Sequence, residues 1–139
     1  MKNYTSYDLI EWRKPFEKSQ HALPEPTLSE VLIRVTAAGL CHSDLHVQKG
    51  YMDLGEEGRL TFAERGAQLP MTFGHEIAGI VEAIGDKVKN VSIGQQVIVF
   101  PWIGCGDCLA CNEDRESDCS AMRIIGLKQK GGFATHCLI

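Results

Sequence analysis

Four cysteines fall within fifteen residues of this 139-residue chain: Cys105, Cys108, Cys111 and Cys119, spaced C-x2-C-x2-C-x7-C. Four thiolates at such intervals can wrap one tetrahedral Zn²⁺ and leave no position open, the arrangement of a site that organises structure and makes no bonds in a reaction. A second, different pair stands upstream. Cys41 lies in the run Gly39-Leu-Cys-His-Ser-Asp-Leu-His46, and His75 lies in Gly74-His75-Glu76. A Cys and a His on two separate strand ends can supply two ligands to one zinc, and a catalytic zinc needs a third protein ligand and one open position for water or substrate. One closed site beside one open site is therefore the expectation. No convincing third ligand is evident for the open site. His136 and Cys137 sit in a strand-like tail and read as structural, a free Cys being usually a small buried hydrophobe.

The elements that must position these groups read as mostly β. Residues 4–12 mix Tyr, Leu, Ile and Trp with polar neighbours and suggest an edge strand, whereas Pro15, Pro24 and Pro26 mark residues 14–29 as loop and turn. Residues 31–37 alternate, with Val31, Ile33 and Val35 on one face and Leu32, Arg34 and Thr36 on the other. Cys41 to Gly50 predicts a short helix with Ser43 as its N-cap. Residues 51–70 hold Gly55, Gly58 and Gly66 and read as a surface loop with one helical turn, placed to shape a substrate entrance. Strands are expected over 77–84 and 96–100, joined by a turn-rich stretch. Residues 104–121 have too little apolar content to order themselves, so a metal must do it.

Bulk properties narrow the field. Hydrophobic residues make up 44% and charged residues 23% of the chain, ordinary for one soluble domain with a real core. A net charge of -4 gives no basic field for nucleic acid or an anionic membrane. No apolar run approaches the length of a membrane span, and the first residues carry no apolar signal core. The expectation is a cytoplasmic protein, in which clustered cysteines are metal ligands or catalytic groups; a disulfide framework is the alternative.

Taken together, the Gly39–His46 run, the Gly74-His75-Glu76 signature with Gly79 and Gly85 behind it, and the four-cysteine loop resemble the signatures of the zinc-containing medium-chain alcohol dehydrogenases. The similarity covers essentially the whole chain. It implies a GroES-like, partly open β-barrel with short helices and a zinc-binding lobe, occupying residues 1–139. It also implies an alcohol or aldehyde substrate, catalytic and structural Zn²⁺, and NAD(P) bound by a Rossmann domain that follows. Carried over by position, Cys41 and His75 match two catalytic-zinc ligands, and Glu76 matches an acidic neighbour of that metal that can transiently coordinate it. Asp44 matches the carboxylate that orients the ligand histidine. Ser43 and His46 match the inner and outer members of a proton relay. His42 matches a contact to the cofactor pyrophosphate, and Trp102 an aromatic of the substrate pocket. Cys105, Cys108, Cys111 and Cys119 match the structural zinc ligands.

Two pieces of that pattern are missing. The third catalytic ligand is expected beyond Ile139, and no G-x-G-x-x-G follows a strand, so no Rossmann fingerprint is present. The chain reads as the zinc-bearing catalytic portion of an enzyme, inactive by itself, whose full-length form is a homodimer or homotetramer. The competing reading is a stand-alone, non-enzymatic GroES-like zinc module. Ser43, Asp44 and His46 beside Cys41 argue against it, because a purely structural protein has no use for them.

Overall fold

The computed structural model describes residues 2–139. Strand β1 (Asn3–Leu9) runs between β2 (Glu17–Ala22) and β6 (Met71–Thr72), pairing antiparallel with both. It is thus central, not the edge strand its sequence suggests. The reason is β2, which occupies part of the proline-marked stretch read as loop. Its residues, Glu-Lys-Ser-Gln-His-Ala, show no apolar alternation, yet their backbone pairs with β1 from Asn3↔Ala22 to Asp8↔Glu17, while the prolines flank the strand without interrupting it. The three strands share a buried polar joint. Asp8 accepts hydrogen bonds from Thr72 Oγ1 at 2.6 Å and from His21 Nε2 at 3.1 Å. Burial pushes the Asp8 carboxyl up, but hydrogen bonds from Thr72, Ser6, His21 and Ser19 outweigh it and hold the group below its ordinary value.

The second sheet has the order β11 (His136–Leu138), β3 (Val31–Gly39), β7 (Glu76–Ile84), β8 (Gln96–Val99), antiparallel throughout. Its apolar face gathers Ile33, Ile77, Val81, Val99, Ile125 and Cys137 into the main core. Each large aliphatic side chain buried there contributes about 1.5–3 kcal/mol. The alternation expected over 31–37 is broken by a register shift between Leu32 and Ile33, and both of these residues are buried. Residues 131–135 lace the two sheets together: Tyr7 N–H donates to Phe133 O (2.8 Å), Phe133 N–H to Phe73 O (2.8 Å) and Val35 N–H to Thr135 O (2.9 Å). The two sheets curve around the cores without closing into a barrel.

Helix α1 (His42–Lys49) follows β3 and ends at Gly50, whose φ of 87° lets its N–H turn back to His46 O and Val47 O. Its N-cap is Cys41 and not Ser43, which falls inside the first turn. Residues 51–70 are more ordered than a loop. Strands β4 (Tyr51–Asp53) and β5 (Arg59–Thr61) form a hairpin around a single 3₁₀ turn at Gly55–Glu57. Phe62 then enters a second core with Leu9, Val47 and Phe73, where Phe16 meets Phe73 edge-on at 5.6 Å. Beyond β8, the strands β9 (Trp102–Ile103) and β10 (Arg123–Ile124) pair at the base of the cysteine lobe, and the lobe carries one four-residue helix, α2 (Leu109–Asn112).

Candidate metal centres and active site

The lobe has almost no apolar interior; Leu109, its one large aliphatic on α2, is 70% exposed. What converges instead is sulfur. The Sγ atoms of Cys105, Cys108, Cys111 and Cys119 all lie within 4.8 Å of one another. Cys108 caps α2, which carries Cys111 one turn on, so their sulfurs meet at 3.5 Å; Cys105 and Cys111 stand 4.0 Å apart. A tetrahedral zinc with Zn–S bonds near 2.3 Å requires sulfurs about 3.8 Å apart, and these spacings bracket that value. All six cysteines of the chain are free thiols. The cluster is electrostatically split. The backbone N–H groups of Asp107 and Cys108, with the thiols of Cys119 and Cys108, lower Cys105 to about 6. At Cys111 the Gly106 N–H lowers the pKa, but burial and the neighbouring Cys108, Cys119 and Cys105 sulfurs together overcome it and push the thiol up to about 12. A divalent cation removes this conflict by neutralising thiolates that otherwise repel one another. The donor set fits a closed structural zinc.

The second constellation is built by strand register. The β3–β7 ladder ends at the pair Gly39↔Glu76. The chain leaving β3 and the chain entering β7 therefore run side by side, and Cys41 and His75 are carried to one place. The Cys41 Sγ, a His75 ring nitrogen and a Glu76 carboxylate oxygen lie within 4.8 Å of one another. Glu76, which the resemblance gives as an acidic neighbour able to coordinate the metal transiently, thus stands within reach as a third donor of the chain's own, beside the ligand expected beyond Ile139. Its approach depends on Gly39, a residue the sequence reading passed over. A Cβ there would collide with the Glu76 carboxylate. Gly39 stands opposite the acidic residue in the ladder, but that signal becomes readable only once the register is known.

Asp44 serves two groups at once. It is 3% exposed; its Oδ2 accepts the Cys41 N–H at 3.0 Å, and its Oδ1 faces His75 Nδ1 at 3.5 Å. The first contact caps α1, and the second fixes the imidazole so that Nε2 is the nitrogen left for a ligand. Ser43 Oγ lies 3.4 Å from that Nε2. Cys41, His75 and Glu76 open on a cleft of about 900 Å³ walled by Ile77, Ile98, Val99, Phe100 and Trp102. Trp102 therefore does share the site, and Phe100 packs 5.3 Å from it, an aromatic neighbour the sequence reading omitted. His42 and His46 stand apart from this cleft. His46 is not hydrogen-bonded to Ser43; its ring lies 4.8 Å from that of His42. The 51–70 hairpin does not reach the cleft either. It lines a separate cavity of about 520 Å³ with Cys119 and Met122. His136 bonds Glu82 at 3.2 Å and Cys137 is buried, its thiol pushed up to about 12 by burial; both lie away from the two metal centres.

A mostly β domain carrying one closed four-sulfur site and one open Cys–His–carboxylate site on a cleft has the make-up of a two-metal catalytic domain. Residues 27–139 match the family described as the alcohol dehydrogenase GroES-like domain, and the chain belongs to that family. It is 40% identical over 132 residues to an NAD-dependent alcohol dehydrogenase of Sulfurisphaera tokodaii, a match covering 94% of this chain and 37% of the relative. It is 34% identical to an L-threonine 3-dehydrogenase of Bacillus subtilis, over 82% of this chain and 30% of the relative. Among solved structures, the cobalt- and zinc-bound thermostable alcohol dehydrogenase from Pyrobaculum aerophilum superposes with a TM-score of 0.80 at 26% identity, covering 99% of this chain and 39% of that one. The chain thus spans little more than a third of the length of such relatives. None of its helices is long and apolar enough to cross a membrane, among the described residues.

Proposed function

We propose that this chain is the metal- and substrate-binding portion of a zinc-dependent alcohol dehydrogenase, which oxidises an alcohol to an aldehyde or ketone by hydride transfer to NAD(P). The observation that carries this reading is the convergence of Cys41, His75 and Glu76 on an aromatic-walled cleft. A Zn²⁺ held by those three would supply Lewis acidity, which lowers the pKa of a bound hydroxyl as it lowers that of water to about 7.

The chain's own side chains do the remaining work. Asp44 holds the His75 ring by Nδ1 and thereby sets its orientation. Ser43, beside His75 Nε2, takes the proton of the substrate hydroxyl. His46 lies three residues on, on the same face of α1; not hydrogen-bonded to Ser43, it receives that proton through intervening water and passes it to solvent, an imidazole being suited to exchange near neutral pH. Trp102 and Phe100 give the cleft an apolar wall that favours an alcohol with an apolar substituent. His42 contacts the pyrophosphate of NAD(P), whose nicotinamide is bound by a Rossmann domain outside the matched region. The working protein is a cytoplasmic homodimer or homotetramer.

The test is a chimera joining this chain to the remaining length of the Sulfurisphaera tokodaii relative, assayed for alcohol-dependent NAD(P)⁺ reduction. Activity is expected, falling by about 10²-fold or more in Ser43→Ala and vanishing in Cys41→Ala. An active chimera indifferent to both substitutions would sink the reading.

A further inference from the structure

α1 carries a pair of imidazoles that the two metal centres do not use. His42 and His46 are spaced i, i+4 on one face, with ring centroids 4.8 Å apart and planes inclined by only 30°. His42 is exposed and His46 half-buried. Neither ring makes a hydrogen bond or ion pair to another residue, among the described residues, whereas His21, His75 and His136 each do. Two unpartnered imidazoles held one helical turn apart are a bidentate donor set. Metal–nitrogen bonds of about 2.0–2.1 Å require the two coordinating nitrogens about 3 Å apart, and near-parallel rings at this spacing reach that by tilting toward each other about their side-chain torsions. The same i, i+4 spacing places two zinc-binding histidines on one helix face in other metal sites.

We propose that His42 and His46 form a clamp, separate from the two inner centres, for a divalent first-row transition ion that competes with the cofactor pyrophosphate read onto His42 above. The donors are two neutral nitrogens with no carboxylate or thiolate, so the class of ion is one that favours imidazole: Cu²⁺, Ni²⁺ or Zn²⁺, and not Mg²⁺ or Ca²⁺. The other protein donors nearby are committed. Asp44 is turned inward to Cys41 and His75, and Gln48 donates to Lys14 O. Water completes the coordination, and the ion exchanges freely. A consequence rests on the relay reading above: an ion on His46 occupies the lone pair that would accept the outgoing proton and blocks His42 as well, so excess metal closes the proton exit while the two inner centres stay loaded.

The clamp is tested without any turnover assay. The chain is first loaded with Zn²⁺ to fill the thiolate centres and freed of exchangeable zinc by gel filtration, then titrated with Ni²⁺ while the imidazole proton resonances and the near-ultraviolet absorption are followed. The expected result is selective broadening of the His42 and His46 signals with no thiolate-to-nickel charge-transfer band. Either H42A or H46A should weaken binding by about tenfold or more, as loss of one arm of a chelate does. A third variant, H46A with K49H, keeps the number of histidines but sets them two turns apart, beyond the reach of one ion, and it should bind as weakly as H46A alone. Nickel affinity unchanged in H42A and H46A, full binding by the K49H variant, or a charge-transfer band showing nickel on sulfur would each overturn the clamp. Failure here leaves the dehydrogenase reading untouched, because that reading is judged by the chimera.

Discussion

The cysteine lobe and the cleft both gather metal donors, but they are made in opposite ways. The lobe takes all four sulfurs from fifteen consecutive residues, with one short helix and no apolar core to hold them. The cleft takes its donors from positions 41, 75 and 76, and the ladder between two nine-residue strands brings them together. In the lobe an ion would have to make the fold; in the cleft the fold itself brings the donors together. One centre is closed by four ligands of one kind. The other keeps a mixed, half-exposed set facing solvent, which is what an exchangeable position needs.

That contrast can be broken most forcefully at the lobe. Stripping metal with a chelator, or replacing Cys111 by Ala, should unfold residues 104–121, since binding free energies on the order of 10 kcal/mol are what order such sites. Hydrogen exchange across 104–121 checks this, and amides that stay protected without metal would show the lobe to be self-supporting. A smaller effect is expected at the cleft. His75→Ala should remove one bound zinc per chain yet cost only about 1 kcal/mol of stability, because the sheet beneath it is already closed by its own core. Elemental analysis with thermal melting separates the two; a collapse of the fold would erase the distinction. The smallest change is Gly39→Ala. Its backbone tolerates alanine, but the new methyl must displace the Glu76 carboxylate. Zinc content should hold while affinity falls by about tenfold, and the visible spectrum of a cobalt-substituted cleft should change. An unaltered spectrum would remove Glu76 from the donor set.

The same contrast decides what could be read before any coordinates. Cysteine spacing is local information, so the lobe was legible from its sequence in full, ligand by ligand. Val31–Ala37 and Ile77–Ile84 announced themselves as strands by apolar content. The β2 strand did not, because Glu17–Ala22 is held by backbone pairing to β1 and carries no apolar face. The hairpin over 51–61 was hidden by its glycines and charges, although Phe62 anchors it in the second core. Ser43 looked like a cap because of its residue type, yet Asp44, three residues after Cys41, supplies the capping carboxylate. Cys41, His75, Glu76, Asp44 and Ser43 were identified by resemblance, but Gly39 as the clearance for Glu76 depends on which residue faces which across the ladder. Register is non-local, and no spacing rule within one strand encodes it.

The last rung of that ladder, Gly39 opposite Glu76, has a consequence for how the molecule matures. Slipping β3 against β7 by one residue would shift the two strand ends by about 3.3 Å and turn every side chain to the opposite face. Cys41 and His75 would then no longer meet, and an ion offered to such a chain would find no partner set. Because ligand binding stabilises only the species that binds, metal taken up at the cleft draws the population toward correctly threaded chains. An ion at the cleft would thus report strand alignment, because only correctly threaded chains offer it Cys41 and His75 together.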